Sequence, residues 1–248
     1  MDSTVTVKKR KSVPIFRWFI IIALPFLLTL WTVRLLIIWD SPSYPEIEYG
    51  RIDPDRYGFS EDDRLEYAEA TLAYLRDKGS ADEVIYLLED LQIRDSDQPL
   101  YNEREIDHMI DVKRLVDLFN QILSVLGIFV LVGLIYLMAR PETRIDAYKA
   151  LMYGGFLTAA ILLVMAILIV AAWSFVFVQF HELLFPPDSW TFAMNDSLIR
   201  LFPEQFWFDF GVLWTLGILI QGVLLGVIGS VLSRWETNRS QTESQLSA

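Results

Sequence analysis

The chain has 248 residues, 53% of them hydrophobic and 14% aromatic, with a mean hydropathy of +0.35 and no cysteine. That balance points to a polytopic membrane protein, and the missing Cys removes disulfides, thiol nucleophiles, Cys-liganded zinc, iron–sulfur clusters and thiolate-ligated haem. The net charge of −11 is local: residues 40–114 hold 21 acids against 9 bases while the remainder is nearly neutral, which argues against nucleic acid as a partner.

In chain order, four apolar stretches are long enough to cross a bilayer core, which takes roughly 20 helical residues: Trp18–Trp39, Leu115–Ala139, Leu151–Phe180 and Phe206–Leu232. The expectation is an all-α polytopic membrane protein, a single integral domain over 1–248. It has four transmembrane helices (18–39, 115–139, 151–180, 206–232) and a helical extracytoplasmic cap. The polar ends, 1–12 and 237–248, read as disordered tails. Lys8, Lys9, Arg10, Lys11 and Arg17 precede the first span. Its apolar run is longer than the roughly 7–15 residues of a signal peptide and has no small-residue cleavage pattern, so it reads as a retained anchor. Arg140, Arg144 and Lys149 follow span two, and Arg234 and Arg239 follow span four. The positive-inside rule then puts both termini in the cytoplasm and loops 40–114 and 181–205 outside the cell membrane.

Within the first outer loop, Ser60-Glu61-Asp62-Asp63 and Ser80-Ala81-Asp82-Glu83 each place a Ser at an N-cap with an acid three residues on, separated by Gly79. Two short helices are expected, with Leu65, Leu72 and Leu75 on one apolar face and Val84, Leu87, Leu88 and Leu91 on the other. Asn102 is a further N-cap, with Glu105 at N3, for a helix running into span two. Its spacing aligns Arg104, Glu105, His108, Asp111 and Val112 along one side. After span three, His181 precedes Pro186-Pro187, which end the helix, and Trp190. Asn195 to Glu204 reads as a capped amphipathic helix on the membrane surface.

The sequence has two histidines, His108 and His181, and the topology puts both at the outer membrane boundary. Imidazole takes and returns a proton near neutral pH, so two at one level can form an acid–base pair. The competing account is structural: polar residues at helix ends, in a charged turn stitched by ion pairs. Glu105 and Asp111 are candidate orienters of His108. Arg34 and Arg200 are candidates to polarise a carbonyl or hold a lipid's polar edge, against a structural alternative of snorkelling or pairing. The aromatics from Phe180 to Phe208, Trp190 among them, form a rim that suits acyl chains and equally an interfacial belt. His181-Glu182 opens like the H-E-x-x-H zinc pattern, but Phe185 stands where the second histidine belongs. No G-x-S-x-G elbow or phosphate-cradling glycine loop is present, and no metal or other cofactor is called for.

The stretch Asn102-Glu103-Arg104-Glu105 through His108-Met109 and Asp111-Val112-Lys113 resembles the Lit family of lipoprotein intramolecular transacylases. So do Phe180-His181, Trp190, Asp196-Ser197-Leu198-Ile199 and Phe202-Pro203-Glu204. The resemblance extends over nearly the whole chain after Lys11. It implies that an ester-linked acyl chain moves from the diacylglyceryl group of a bacterial lipoprotein to the α-amino group of its N-terminal Cys, leaving the lyso-form. The partners implied are a diacylated lipoprotein and membrane lipid, and the functional histidines are His108 and His181. Ester aminolysis needs a base for the amine proton and an acid for the departing glycerol oxygen. His108 is taken as the base and His181 as its partner in proton return or oxyanion stabilisation, although the residues alone do not order the two. The alternative, from another class, is a non-catalytic membrane protein that uses its 40–114 ectodomain as a partner-binding or assembly module.

Overall fold

The computed structural model describes residues 12–246, which fold into helices and connecting loops, with no β-strand among them beyond two isolated bridges. The basic cluster Lys8–Lys11 and the first eleven residues of the expected N-terminal tail lie outside the described residues, as do the last two of the chain. Four helices have the length and composition to cross a membrane: α1 (Ser12–Ile38), α6 (Glu103–Met138), α7 (Pro141–Ala171) and α10 (Glu204–Leu246). Between them lie α2 (Tyr44–Tyr49), α3 (Glu61–Arg76), α4 (Ala81–Val84), α5 (Tyr86–Glu89), α8 (Trp173–Leu184) and α9 (Ser197–Leu201). The chain is thus an all-α polytopic membrane protein with four spanning helices and a helical cap.

Three boundaries differ from expectation. The third apolar stretch is not one helix: it breaks at Ala172 (φ −148°, ψ 46°) and restarts as α8. No Pro or Gly marks the break, so apolar periodicity passed straight through it. The C-terminal segment is not a tail, because α10 continues as helix to Leu246. Helix α2 was not anticipated, although Ser43-Tyr44-Pro45-Glu46 carries its signal: the Ser43 hydroxyl accepts from the Glu46 N–H at 3.2 Å and the Glu46 carboxylate from the Ser43 N–H at 3.3 Å.

The chain divides into two compact units. One comprises residues 12–29, 123–164 and 216–246 of the described chain. Its core contains Ile20, Ile21, Leu24, Val130, Leu137, Ala147 and Ala150. Here helix backbones approach so closely that a Cβ on Gly155 would lie 2.5 Å from the Gly226 backbone nitrogen, and one on Gly229 2.5 Å from that of Met152. In lipid, where water drives no apolar contact between helices, such small-residue seams allow the close packing that holds spans together. Arg17 meets Asp146 at 3.2 Å, so this base at the start of span one is paired.

The other unit comprises residues 30–122 and 165–215. Its core is aromatic: Tyr44, Tyr49, Phe59, Tyr67, Tyr74, Tyr101, Phe202 and Phe206, with Leu88, Leu100, Leu198 and Leu201. The tyrosine hydroxyls are satisfied inside it, Tyr44 donating to the Phe206 carbonyl (2.9 Å) and Tyr49 to that of Leu201 (2.8 Å). The buried face of α3 is Arg64, Tyr67, Ala68, Thr71 and Tyr74, rotated from the expected leucine stripe, with Leu65 and Leu75 at its margin. The Ser60 cap forms in both directions, and at Ser80 the Glu83 carboxylate accepts from the Ser80 N–H (2.9 Å). Helix α9 packs Ser197, Leu198 and Leu201 into this core, so it is an interior element and not a surface amphipathic helix.

Candidate active site

Helix α6 starts as its sequence predicts. Asn102 Oδ1 accepts from the Glu105 N–H (3.1 Å), and Glu105 Oε2 accepts from the Asn102 N–H (2.8 Å). One turn later His108 is buried, at 7% exposure, with its ring centroid 4.9 Å from Phe185 and 5.3 Å from Phe192. Its Nδ1 is buried and has no hydrogen-bond partner among the described residues.

His181 sits in the last turn of α8, with Nδ1 2.7 Å from the Phe177 carbonyl oxygen. A carbonyl can only accept, so in the neutral ring the proton is on Nδ1 and Nε2 carries a free lone pair. Phe177, Phe180, Trp190 and Phe185 surround the imidazole, with centroids at 4.2, 5.3, 4.9 and 5.7 Å. Burial pushes the His181 imidazole below its usual range, and the bond to Phe177 offsets this only in part. The ring is therefore neutral at pH 7. Phe185 packs against both imidazoles, which are close enough to act on each other electrostatically.

The first turn of α6 also fastens the segment that covers His108. Arg104 donates to the Thr191 carbonyl at 2.7 Å, Asn102 Nδ2 donates to Asp196 Oδ1 at 3.3 Å, and Glu105 Oε1 accepts from the Leu198 N–H at 2.6 Å. Asp196, the cap residue of α9, turns its other oxygen to the Ala193 N–H (2.8 Å), so Glu105 serves the free N–H at the start of α9. Hydrogen bonds to a charged group contribute about 1.5–3 kcal/mol.

The expected site residues therefore separate. His108, His181 and Trp190 come together around Phe185. Glu105 is fully engaged with backbone N–H groups and does not bond His108; it orients a loop, not an imidazole. Asp111 lies 3.7 Å from Arg114, one turn along the same helix. Arg200 is locked in the aromatic unit, 2.9 Å from Asp55 and with its guanidinium 3.3 Å above the Phe59 ring. That removes it as a free carbonyl polariser. Arg34 is half-buried and has no ion-pair partner among the described residues. Near span two, Lys113 is fully buried and paired with Asp117 at 2.6 Å, as their spacing suggests. No group of three or more His, Asp and Glu suited to a metal ion occurs among the described residues.

Sequence reasoning missed Phe177 as a site wall and Arg104 as a tether, and it counted Phe185 and Phe192 only within the general aromatic rim. Phe177 was findable, since Phe177, His181 and Phe185 repeat at four-residue helical spacing. The loop residue Phe192 carries no local signal that sets it against His108.

A model of the family described as lipoprotein intramolecular transacylase Lit matches residues 18–207. An uncharacterized protein of Aquifex aeolicus (strain VF5) is 30% identical over 191 residues, covering 76% of this chain and 80% of its own length. The fold is similar to a solved structure of the membrane integral lipoprotein intramolecular transacylase Lit from Bacillus cereus. The TM-score is 0.70 at 20% identity, covering 93% of this chain and 98% of that one. Two further structures of that protein carry one histidine replaced, by arginine and by alanine. They score 0.66 and 0.64 at 20% and 22% identity, covering 93% of this chain in each case and 94% and 96% of theirs. With the family match spanning most of the chain, this protein belongs to the Lit family of lipoprotein intramolecular transacylases and is a membrane-integral acyltransferase.

Proposed function

We propose that the chain converts diacylated bacterial lipoproteins to the lyso-form at the extracytoplasmic membrane face, with His108 and His181 as the reacting pair and both termini in the cytoplasm. The α-amino nitrogen of the substrate's N-terminal Cys attacks the ester carbonyl. A new C–N bond forms, the C–O bond to glycerol breaks, and the amine proton passes to the glycerol oxygen. No co-reactant is consumed and no cofactor is needed.

The observation that carries this reading is the pair of imidazoles against one phenyl ring, with the proton of His181 committed to the Phe177 carbonyl. His181 Nε2 is then the base that takes the amine proton and, as imidazolium, returns it to the leaving oxygen. His108 has an unpartnered buried Nδ1, and a buried orphan N–H is rarer than an orphan acceptor. Its proton belongs on Nε2, where it donates to the carbonyl oxygen as negative charge develops. This order reverses the one taken from the residues alone, and the Phe177 bond is the reason. Ester and amine lie in one substrate, so holding them in reactive geometry contributes up to about 7–11 kcal/mol. The exposed apolar residues near His181, Phe180 and Leu183, suit acyl chains arriving from lipid.

The test is expression in a bacterium lacking such an enzyme, followed by mass spectrometry of a reporter lipoprotein's N-terminal lipopeptide. Wild-type protein yields the lyso-form, and His181→Ala or His108→Ala each lowers conversion by about 10²–10⁴-fold. Full transfer by both variants at normal membrane levels overturns the histidine mechanism. Unchanged lipid with folded wild-type protein overturns the reaction itself.

A further inference from the structure

The C-terminal part of α10 is polar, yet it is helical, and one of its faces borders a cavity. Glu236, Arg239, Ser240 and Glu243 recur at the spacing of a single helix face. Together with Pro141, Glu142 and Arg144 from the first turn of α7 they line a cavity of about 290 Å³. That is just below the range for small-ligand sites, roughly 300–1,000 Å³. All of these residues lie in the glycine-packed unit and none belongs to the proposed reaction.

The lining combines both signs of charge in an incomplete arrangement. Glu236 is 7% exposed, and its Oε2 is buried with no hydrogen-bond partner among the described residues. A buried carboxylate oxygen without a donor is costly, and a native protein keeps one where something else supplies the donor. Arg144 uses Nε on the Met138 carbonyl (3.3 Å) and Arg239 uses Nε on Glu243 (2.9 Å), and the terminal guanidinium nitrogens of both have no hydrogen-bond partner among the described residues. Among the described residues, what stays unmet is a donor for Glu236 and acceptors for the terminal nitrogens of two arginines on the same lining.

The cavity also sits at a membrane boundary. The apolar run of α10 ends at Leu232, and Trp235, 54% exposed, follows it with the Arg239 guanidinium 5.8 Å from its ring. Exposed tryptophan at the end of a span marks the headgroup layer. We propose that this cavity binds the phosphoethanolamine headgroup of a membrane lipid. The ammonium is received by Glu236, and the phosphate lies between Arg144 and Arg239, while the Ser240 hydroxyl beside them donates to the Glu236 main-chain carbonyl (2.9 Å). A headgroup with a quaternary ammonium offers no N–H to Glu236, and an uncharged glycerol headgroup offers no cation.

The experiment is native mass spectrometry of the full-length protein released from nanodiscs. These hold equal amounts of phosphatidylethanolamine, phosphatidylcholine and phosphatidylglycerol with identical acyl chains. Phosphatidylethanolamine is expected to be retained roughly tenfold over each of the others, and that preference is lost in Glu236→Gln and reduced in Arg239→Ala. Glu236→Gln keeps the side-chain shape and removes a buried charge, so it leaves thermal stability intact; should it not fold, Ser240→Leu fills the cavity and must abolish the preference instead. Equal retention of the three lipids, or a preference untouched by these substitutions, overturns the proposal. Free phosphoethanolamine that competes as well as the lipid overturns the lipid assignment in favour of a soluble ligand.

Discussion

The two units of this protein solve the same packing problem with different chemistry. In the unit built from residues 12–29, 123–164 and 216–246, stability rests on backbone approach, and the contacts that matter are those a side chain would obstruct, as at Gly155 and Gly229. In the unit built from residues 30–122 and 165–215, it rests on large rings whose polar atoms are satisfied internally and on charges paired out of water. The difference teaches where chemistry can be placed. A glycine seam leaves little room for functional groups, whereas an aromatic core with buried hydrogen bonds can hold an imidazole neutral, oriented and dry.

The sharpest way to break this contrast is to unpair the aromatic unit. Arg200→Met leaves Asp55, whose side chain is 3% exposed, as a buried charge without its counter-ion. The expected loss is about 3–5 kcal/mol, read as a fall in thermal stability in detergent. The contribution depends on pH with a definite sign. Burial raises the Asp55 carboxyl, but the bonds from Arg200 and from the Phe59 and Tyr57 N–H groups outweigh it, so the folded value lies below the ordinary one. The pair's stabilisation is therefore complete above the unfolded value of about 3.9 and is lost as pH falls through the folded value.

In the other unit the corresponding change adds a methyl group. Gly155→Ala places Cβ against the Gly226 backbone nitrogen, which cannot move aside without its helix. A loss of about 1–3 kcal/mol is expected even though alanine is the better helix former, measured by the same melting experiment. A neutral result would mean that the seam is not the unit's principal constraint.

A comparable effect with a different readout belongs to Glu105→Ala. It removes the acceptor for Leu198 and one half of the Asn102 box, at a cost of about 1–3 kcal/mol. Because Glu105 fastens the Phe192 segment and does not touch His108, its loss should lower kcat with the histidine pH dependence unchanged. A displaced pH profile would show direct coupling to an imidazole instead.

The smallest expected effect lies in that profile. Transfer needs a neutral amine, with an ordinary pKa of about 7.7–8.0, and a neutral imidazole. With the His181 imidazole held below its usual range, log kcat/KM should rise with unit slope through pH 6.5 and steepen to a slope of two only at more acid pH. A bend at the ordinary histidine value of about 6.5 would place the base in water and not among these rings.

Much of this was legible in the chain itself. Apolar length located the four spans, Ser60, Ser80 and Asn102 announced their helices, and charge type marked His108 and His181. What escaped was whatever depends on partners far away in sequence. Arg200 reads as a free cation until Asp55 arrives across the core. Glu105 reads as an imidazole orienter because the Leu198 N–H is 93 residues away. The break at Ala172 leaves no local mark, and residues 237–248 read as a tail because polarity alone does not distinguish a solvated end from a lined cavity.

The position of Phe185 has one more consequence. With a phenyl ring against both imidazoles, no hydrogen bond joins the pair among the described residues, and the two stand as open terminals. Under the proposed mechanism, the circuit closes when an amine and an ester of one lipopeptide occupy the gap, so a bound phospholipid, which brings esters but no neighbouring α-amine, leaves it open. An enzyme immersed in esters would in that way be protected from its own solvent.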